Sequence, residues 1–324
     1  MEENIEQRVD LTLFSEKIQE LKDRIASVIV GQERTVDLVL TAILANGHVL
    51  IEGVPGVAKT LLARLTARLI DADFSRIQFT PDLMPSDVLG TTVFNMKTNG
   101  FDFHQGPIFA DIVLVDEINR APAKTQAALF EVMEERQISI DGTTHRMGDL
   151  YTILATQNPV EQEGTYKLPE AQLDRFLMKI TMDYPSLEEE VNILERHHTN
   201  AALVKLDDVT PAITKEELLS LRAFMNQVFV DRTLLQYIAL IVQQTRTSKA
   251  VYLGASPRAS VAMLQSSKAY ALLQGRDFVT PEDIKFVAPY VLQHRLILTA
   301  EAEMEGYSPV KVTQRLIDKV EVPK

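Results

Sequence analysis

Residues 52–64 read EGVPGVAKTLLAR, and this stretch decides the fold. It follows the apolar run HVLI (48–51) and opens a segment in which leucines recur at helical spacing. A strand, a glycine-containing turn and a helix in this order form a loop whose backbone N–H groups wrap phosphates at the helix N-terminus. Lys59 would reach the outer phosphates, and Thr60 would offer its hydroxyl to Mg²⁺. The candidate nucleotide-binding residues of this stretch are Gly53, Val54, Pro55, Gly56, Val57, Ala58, Lys59, Thr60 and Leu61.

One position departs from the usual loop pattern, because Ala58 stands where a glycine is expected before Lys59. If the backbone at this position needed a positive φ, alanine would cost about 1–2 kcal/mol. Each backbone N–H given to a charged phosphate is worth about 1.5–3 kcal/mol, so the loop would still bind. We expect Ala58 to adopt near-helical angles, where one methyl group is tolerated. The alternative is a Gly/Pro turn followed by a surface lysine.

Two further strands end in polar residues. DIVLVDE (111–117) delivers Asp116 and Glu117 at its carboxyl end, the edge where open α/β sheets bind ligands. Asp116 can hold the Mg²⁺ shell, and Glu117 can orient a water for attack on the γ-phosphoryl group. YTILATQNP (151–159) ends with Asn158, whose amide could contact that water or the γ-phosphate. The alternatives are an acidic pair that caps the next helix and a simple Asn-Pro turn.

The order of elements predicts an α/β fold with a mostly parallel five-stranded sheet between helices, followed by an all-helical domain. Asn99-Gly100 predicts a hairpin inserted at about 91–106, and Asp141-Gly142 predicts a second one. After Pro185 the apolar residues repeat at three- and four-residue spacing, so we place the domains at 1–186 and 187–324. The strand candidates are residues 48–53, 75–80, 111–117, 151–159 and 176–185.

The composition limits the class of function. The chain has 324 residues, 46% of them hydrophobic, and no cysteine, which excludes disulfides and thiolate chemistry. Basic residues number 33 against 45 acidic ones, and the net charge of −12 makes nucleic acid an unlikely partner. The acidic N-terminus, residues 1–14, lacks the apolar core of a signal peptide. No apolar run reaches the ~18 residues that cross a bilayer, so we expect a cytoplasmic protein without membrane insertion.

Taken together, these motifs resemble the AAA+ ATPases, and most closely the MoxR group. The resemblance covers nearly the whole chain in order, and the MoxR group itself often has alanine before the loop lysine. The inserted hairpin resembles the ribbon of AAA+ members of the MoxR and magnesium-chelatase type. The stretches that carry the resemblance are VGQ (30–32), GVPGVAKT (53–60), LVDEINRAP (114–122), ATQNP (155–159), LPEAQLDRF (168–176) and GASPRAS (254–260).

The resemblance implies roles for individual residues. Arg175 is similar to the arginine finger, which reaches the nucleotide of the neighbouring subunit. Arg258 resembles sensor 2, which the helical lid contributes to the γ-phosphate of its own subunit. Without the resemblance, an ion pair near Asp174 or Glu170 would explain Arg175, and a solvated helix start would explain Arg258. The remaining implied residues are Lys59 and Thr60 of Walker A, Asp116 and Glu117 of Walker B, Asn158 as sensor 1, and Val30, Gly31 and Gln32 along the adenine.

The resemblance also implies an activity and partners. It implies a Mg²⁺-dependent ATPase that works as a homo-oligomeric ring, a hexamer, and remodels or activates a client protein such as one with a von Willebrand A domain. Two hypotheses of another class stay open: an ATP-gated scaffold with negligible turnover, and a magnesium-chelatase-like or nucleic-acid-directed motor. Two other features receive a plain interpretation: EVMEER (131–136) as a charged helix face, and Arg120 as an interface residue outside the candidate set.

Overall fold

The computed structural model describes residues 11–159, 165–166, 168–199 and 206–322. The prediction that the N-terminus lacks a signal-peptide core concerned residues 1–14, and residues 1–10 of that stretch lie outside the described range. The centre of the molecule is a parallel sheet of five strands in the order β2-β5-β8-β1-β9. These strands are β1 Val49–Gly53, β2 Phe74–Gln78, β5 Ile112–Asp116, β8 Thr152–Gln157 and β9 Met178–Met182.

The sheet lies between two apolar clusters, because side chains alternate between the faces of a strand. In β5, Ile112 and Leu114 face a cluster that contains the N-terminal and C-terminal helices. Val113 and Val115 face a second cluster with Phe130 of the helix α5 Ala123–Glu135. Burial on both faces explains the nearly continuous apolar strands, and it confirms the predicted α/β layers. The helices of the first half are α1 Leu11–Val28, α2 Glu33–Leu44, α3 Lys59–Leu69, α4 Pro85–Leu89, α5 and α6 Glu170–Leu173.

Both predicted hairpins are present and touch each other. Strands β3 Gly90–Asn95 and β4 Gly100–Gln105 form the first, and β6 Gln137–Ile140 and β7 Thr143–Arg146 form the second. Thr92 Oγ1 donates a hydrogen bond of 2.5 Å to Asp141 Oδ2, and the rings of Phe103 and His145 lie 4.3 Å apart. The two ribbons therefore form one continuous surface at the side of the sheet.

The second half is helical, with one difference from the sequence prediction. A two-stranded antiparallel sheet joins β10 Val251–Leu253 to β11 Ile297–Leu298, so this half is not purely helical. Its strands are too short for a period-2 pattern to be visible in sequence. Among the described residues, no helix has the length and apolar character to cross a membrane. The helices are α7 Leu187–His198, α8 Lys215–Phe224, α9 Arg232–Thr247, α10 Pro257–Leu273, α11 Pro281–Leu292, α12 Ala300–Met304 and α13 Pro309–Lys319.

Candidate active site

The phosphate-loop candidate connects β1 to α3 at the carboxyl edge of the sheet. Lys59 Nζ donates hydrogen bonds to the carbonyl oxygens of Gly53, at 2.6 Å, and Val54, at 3.3 Å. These bonds fold the lysine back over the loop. A Cβ built on Gly56 would meet no atom within 4 Å, so the loop faces open space rather than packed protein. The backbone and the lysine together form a cradle that is open to a ligand.

The expectation for Ala58 was wrong, because this residue lies in the left-handed region at φ 60° and ψ 24°. Gly56 also has a positive φ, 88°, whereas Val57 between them does not. Residues that alternate in hand turn successive N–H groups toward the same side, which makes an anion-binding concavity. Ala58 also begins α3, since its carbonyl accepts the hydrogen bond of Leu62 N at 2.9 Å. The left-handed conformation therefore shapes this concavity, and alanine bears the cost of about 1–2 kcal/mol.

Asp116 is the last residue of β5, and donor groups on the two neighbouring strands hold its carboxylate. Its Oδ1 accepts a 3.0 Å hydrogen bond from Thr156 Oγ1 of β8, and its Oδ2 pairs with Arg76 Nε of β2 at 2.7 Å. Asp116 is only 6% exposed. Its carboxylate and the Thr60 hydroxyl are hard oxygen ligands, the type that Mg²⁺ prefers. The chemistry of the two groups therefore fits a magnesium site at the carboxyl edge of the sheet.

Glu117 follows in a left-handed conformation at φ 56°, and its N–H donates to Thr156 Oγ1 at 3.0 Å. Its carboxylate has two partners: Gln78 Nε2 donates to Oε2 at 2.7 Å, and Arg120 Nε lies 3.1 Å from the same oxygen. The strained backbone aims Glu117 along the carboxyl edge of the sheet. In this conformation a side-chain amide and a guanidinium hold the carboxylate.

Asn158 comes directly after β8 and is 7% exposed. Because β8 lies between β5 and β1, Asn158 leaves the same edge as Asp116 and Gly53. The structure therefore brings the loop, the acidic pair and the asparagine together, as the sequence order predicted.

The adenine candidates Val30, Gly31 and Gln32 connect α1 to α2 and are half-buried. Gly31 has φ 73°, and a Cβ on it would lie 2.3 Å from Glu189 Oε1 of α7. Glycine therefore suits the left-handed backbone angle there, whereas the Glu189 carboxylate is the end of a flexible side chain that can move aside.

The two candidate arginines meet elsewhere. Glu134 of α5 forms ion pairs with both: its Oε1 lies 2.9 Å from Arg258 Nη2, and its Oε2 lies 3.5 Å from Arg175 Nε. The guanidinium of Arg175 also lies 5.9 Å from the ring centroid of Phe130, one helical turn before Glu134. An open cleft of about 570 Å³ contains all three charged residues together with Arg136.

This cleft lies at the amino edge of the sheet, away from the phosphate loop of the same chain. Arg175 precedes β9, and Asn46 and His48, which line the same cleft or adjoin it, precede β1. The five residues of β1 separate this edge from the loop by about 16 Å at ~3.3 Å per residue. Arg258 therefore does not lie at the γ-phosphate position of its own subunit, which differs from the expectation for it. The reason is the position of α10, whose first turn packs beside the C-terminal end of α5.

Several residues of the site were missed or undervalued in sequence. Glu134 belongs to the stretch interpreted as a charged helix face, and Arg120 was left outside the candidate set. Their partners are distant in sequence or lie across strands, so no local motif marks them. A polar or charged residue in the carboxyl-terminal part of a parallel strand is the one available signal, and it applies to Arg76 and to Gln78, the last residue of β2. The missed residues are Arg76, Gln78, Arg120, Glu134, Thr156 and Arg295.

Comparison with known proteins agrees with this geometry. The profile of the ATPase family associated with various cellular activities (AAA) matches residues 48–178, and the AAA lid domain profile matches residues 243–318. Chaperone MoxR1 of Mycobacterium tuberculosis is 45% identical over 92% of this chain and 80% of its own length. The uncharacterized protein YeaC of Bacillus subtilis is 48% identical over 93% of both chains. A crystal structure of a candidate ATPase from Cytophaga hutchinsonii superposes with a TM-score of 0.88 at 41% identity, covering 97% of both chains. The chain belongs to the MoxR group of the AAA+ ATPases.

Proposed function

We propose that this protein hydrolyses ATP with Mg²⁺ in a ring of identical subunits and uses the cycle to remodel a client protein complex. One observation supports the ring most strongly. The phosphate loop and the two arginines lie at opposite edges of one sheet, and β1 alone spans about 16 Å between them. An arginine side chain is shorter than this distance. A complete site therefore needs the loop of one subunit and the arginines of the next, which is a head-to-tail contact of the kind that generates a ring when its rotation closes.

Each residue has a defined task in the proposed site. The loop N–H groups and Lys59 bind the β- and γ-phosphates, while Thr60 and Asp116 hold Mg²⁺, which would neutralise charge on those phosphates. Glu117 and Asn158 orient the attacking water. Arg175 and Arg258 of the adjacent subunit stabilise the charge that develops on the transferred group. Val30, Gly31 and Gln32 line the adenine.

The cleft lined by Arg175 and Arg258 fits a role in which these arginines exchange Glu134 for another anion. The side chains of Arg258 and Glu134 are 61% and 36% exposed, so their ion pair contributes at most about 1 kcal/mol. A phosphate group carries more charge than a carboxylate and offers more oxygens to a guanidinium fork. The neighbour's nucleotide can therefore displace Glu134 when subunits assemble.

The exposed tip of the inserted hairpin indicates the class of client, which is another protein. The inserted hairpin exposes Phe94 (46%), Met96 (89%) and Phe101 (74%), an apolar tip that suits contact with another protein. The relative from Mycobacterium tuberculosis is called a chaperone, which supports this direction. A hexamer, a client with a von Willebrand A domain and a cytoplasmic setting, where ATP is supplied, complete the proposal. The domain division at residue 186 is part of it, with α7 beginning at Leu187.

The ATP-gated scaffold is the rival function, and one observation favours it. Glu117 is held by Gln78 and Arg120 in this conformation, so a ring that never releases it would bind ATP without turnover. The test measures phosphate release per subunit across a protein dilution series, with oligomer size followed by sedimentation. We expect specific activity to rise as the ring assembles and to be unaltered by added DNA or RNA. A near-zero rate in assembled rings would instead support the scaffold, and stimulation by nucleic acid would support a nucleic-acid motor.

A further inference from the structure

Arg295 follows α11 in the helical half, and its side chain is only 4% exposed. A buried guanidinium is costly unless its donors are satisfied. Its Nε bonds Asp174 Oδ1 at 2.7 Å, and one Nη1 contact goes to Val291 O of its own helix. The remaining donors all reach one short segment of the α/β half. Arg295 is therefore committed to a single place on the other half of the molecule.

That segment is residues 174–177, which surround Arg175. Arg295 Nη2 donates to the carbonyl oxygens of Asp174, at 3.2 Å, and Phe176, at 2.7 Å, and Nη1 donates to Leu177 O at 3.1 Å. One planar fork thus binds backbone on both sides of Arg175. Its rigid geometry fixes the path of the chain there, which a flexible lysine would not do.

The two residues before Arg295 strengthen the same contact. Gln293 Nε2 donates to Lys179 O at 2.5 Å, and His294 Nε2 donates to Phe176 O at 3.0 Å. Burial lowers the pKa of His294 well below its usual value, so the neutral ring keeps one N–H for this bond. Residues 293–295 therefore dock the helical half directly onto the segment that carries Arg175.

We propose that Arg295 is a positioning residue for Arg175: it holds residues 174–177 so that Arg175 and Arg258 present one paired surface to the neighbouring subunit. This inference rests on the proposed function, in which both arginines act on the neighbour's nucleotide. It also makes the helical half and the Arg175 segment one mechanical unit. When the neighbour's nucleotide is hydrolysed or released, its contact with Arg175 would change. Through Arg295, that change would move the helical half of the subunit that supplies Arg175.

The plain alternative is that Arg295 only joins the two halves and stabilises the fold. The two roles differ in what a variant subunit can still do. A positioning defect prevents the arginines of a subunit from acting on the neighbour's nucleotide, while the phosphate loop of that subunit still binds ATP. A general folding defect spoils both.

The test uses Arg295→Lys, which keeps the charge and removes the fork. We expect kcat for ATP hydrolysis to fall by about 10²-fold, the typical effect of a misplacement near 1 Å, with little change in KM. The matched control is Arg276→Lys, another arginine of the helical half that forks onto a buried carboxylate. Arg276 bonds Asp283 at 2.8 and 2.5 Å and lies apart from Arg175. We expect a similar loss of melting temperature in both variants and near wild-type turnover in the control.

Mixed rings assign the defect to one side of the interface. Arg295→Lys subunits mixed with Lys59→Ala subunits should regain turnover, because the second variant supplies intact arginines to the intact loop of the first. Arg295→Lys mixed with Arg175→Ala should gain nothing, since neither supplies a well-placed Arg175. If Arg295→Lys does not fold, Asp174→Asn, which removes the charged acceptor of the fork, takes its place in the same mixtures.

Each outcome has one meaning. Equal turnover in the two lysine variants, or no recovery with Lys59→Ala in confirmed mixed rings, would overturn the positioning role while wild-type hydrolysis stands. A wild-type protein without turnover would overturn the proposed function itself, and this inference with it.

Discussion

The two edges of the central sheet are built in different ways. At the carboxyl edge, the loop, Asp116, Glu117 and Asn158 each lie at the end of a strand or directly after it, so their positions depend on strand order. At the amino edge, Glu134, Arg175, Arg258 and Arg295 come from segments that are distant in sequence, and the bond between Arg258 and Glu134 joins residues 124 positions apart. The first edge is a set of local motifs on a shared scaffold. The second is a tertiary assembly.

This difference has a consequence for coupling. In the proposed site, the carboxyl edge of one subunit supplies every group except the arginines, so we expect it to bind nucleotide without its neighbour. In the proposed ring, the amino edge binds only the nucleotide of the neighbouring subunit. The same edge also connects the helical half to the sheet. In the proposed ring, a subunit would therefore bind its own nucleotide at one edge and contact its neighbour's nucleotide at the other.

The largest effect is expected at the carboxyl edge. In the proposed site Lys59 binds the outer phosphates, so we expect Lys59→Ala to show no nucleotide binding and no turnover. Glu117→Gln should keep ATP bound, stabilise the ring and stop turnover, because the water loses its orienting carboxylate. Calorimetry with ATP and Mg²⁺ measures the first variant, and phosphate release measures the second. Rapid hydrolysis by Glu117→Gln would assign water activation to another residue.

At the amino edge, a subunit that lacks an arginine should be compensated by mixing it with subunits that still carry that arginine. We expect Arg175→Ala to lower kcat about 10³-fold or more, and Arg258→Ala less, with ATP binding retained. Mixing Arg175→Ala with Lys59→Ala should restore activity at about a quarter of the interfaces in a random head-to-tail ring. Turnover of the mixed rings is the measurement.

A second mixture asks whether both arginines serve the same site. If both act on the neighbour, Arg175→Ala mixed with Arg258→Ala stays inactive, because every donor lacks one of them. Recovery in this mixture would show that Arg258 acts on its own subunit's nucleotide, and the comparison between the two edges would fail.

The contrast between the edges also explains what could be predicted from the sequence. The five strands, both hairpins and the carboxyl-edge residues were predicted because each depends on local apolar patterning and on a polar residue at a strand end. The pairing of Glu134 with two arginines, and the clamp by Arg295, follow from how the helical half packs on the sheet. No periodicity encodes that packing. The left-handed angles of Ala58 were missed for a different reason, since alanine normally avoids them.

A smaller effect should appear in the pH dependence of stability, again at the amino edge. Burial, followed by the charge of Arg136, lowers the pKa of His48 from 6.5 to about 3. The neutral ring accepts from Ile153 N at 3.0 Å and donates to Met133 O at 3.2 Å. The unfolded chain binds a proton at this histidine below pH 6.5, while the folded chain does not until about pH 3. Stability from His48 is therefore full above pH 6.5 and is lost as the pH falls toward 3.

Urea unfolding at pH 7 and pH 5 measures this loss. We expect His48 to account for about 2 kcal/mol of the decrease in unfolding free energy between these values. His48→Asn should be less stable at pH 7 but should lose about 2 kcal/mol less on acidification. His198→Asn, at the exposed end of α7, is the control and should follow the wild-type slope. A slope unchanged by His48→Asn would show that His48 is not buried in its neutral form.

The smallest effect tests Ala58, a residue of the carboxyl edge whose left-handed backbone conformation alanine normally avoids. Ala58→Gly removes about 1–2 kcal/mol of left-handed strain. It also gives the unfolded chain more freedom, which costs about 0.5–1 kcal/mol. We therefore expect a net gain of up to about 1.5 kcal/mol in unfolding free energy and little change in ATP affinity.

The matched control is Ala127→Gly, at an exposed position inside α5, where the same substitution should destabilise by about 1 kcal/mol. Opposite signs in the two variants can arise only if the two alanines occupy opposite regions of backbone space. A loss at Ala58 as large as that at Ala127 would mean that the loop does not use alternating hands. The anion-binding concavity would then have to form only when nucleotide binds, and the carboxyl edge would be no more prebuilt than the amino edge.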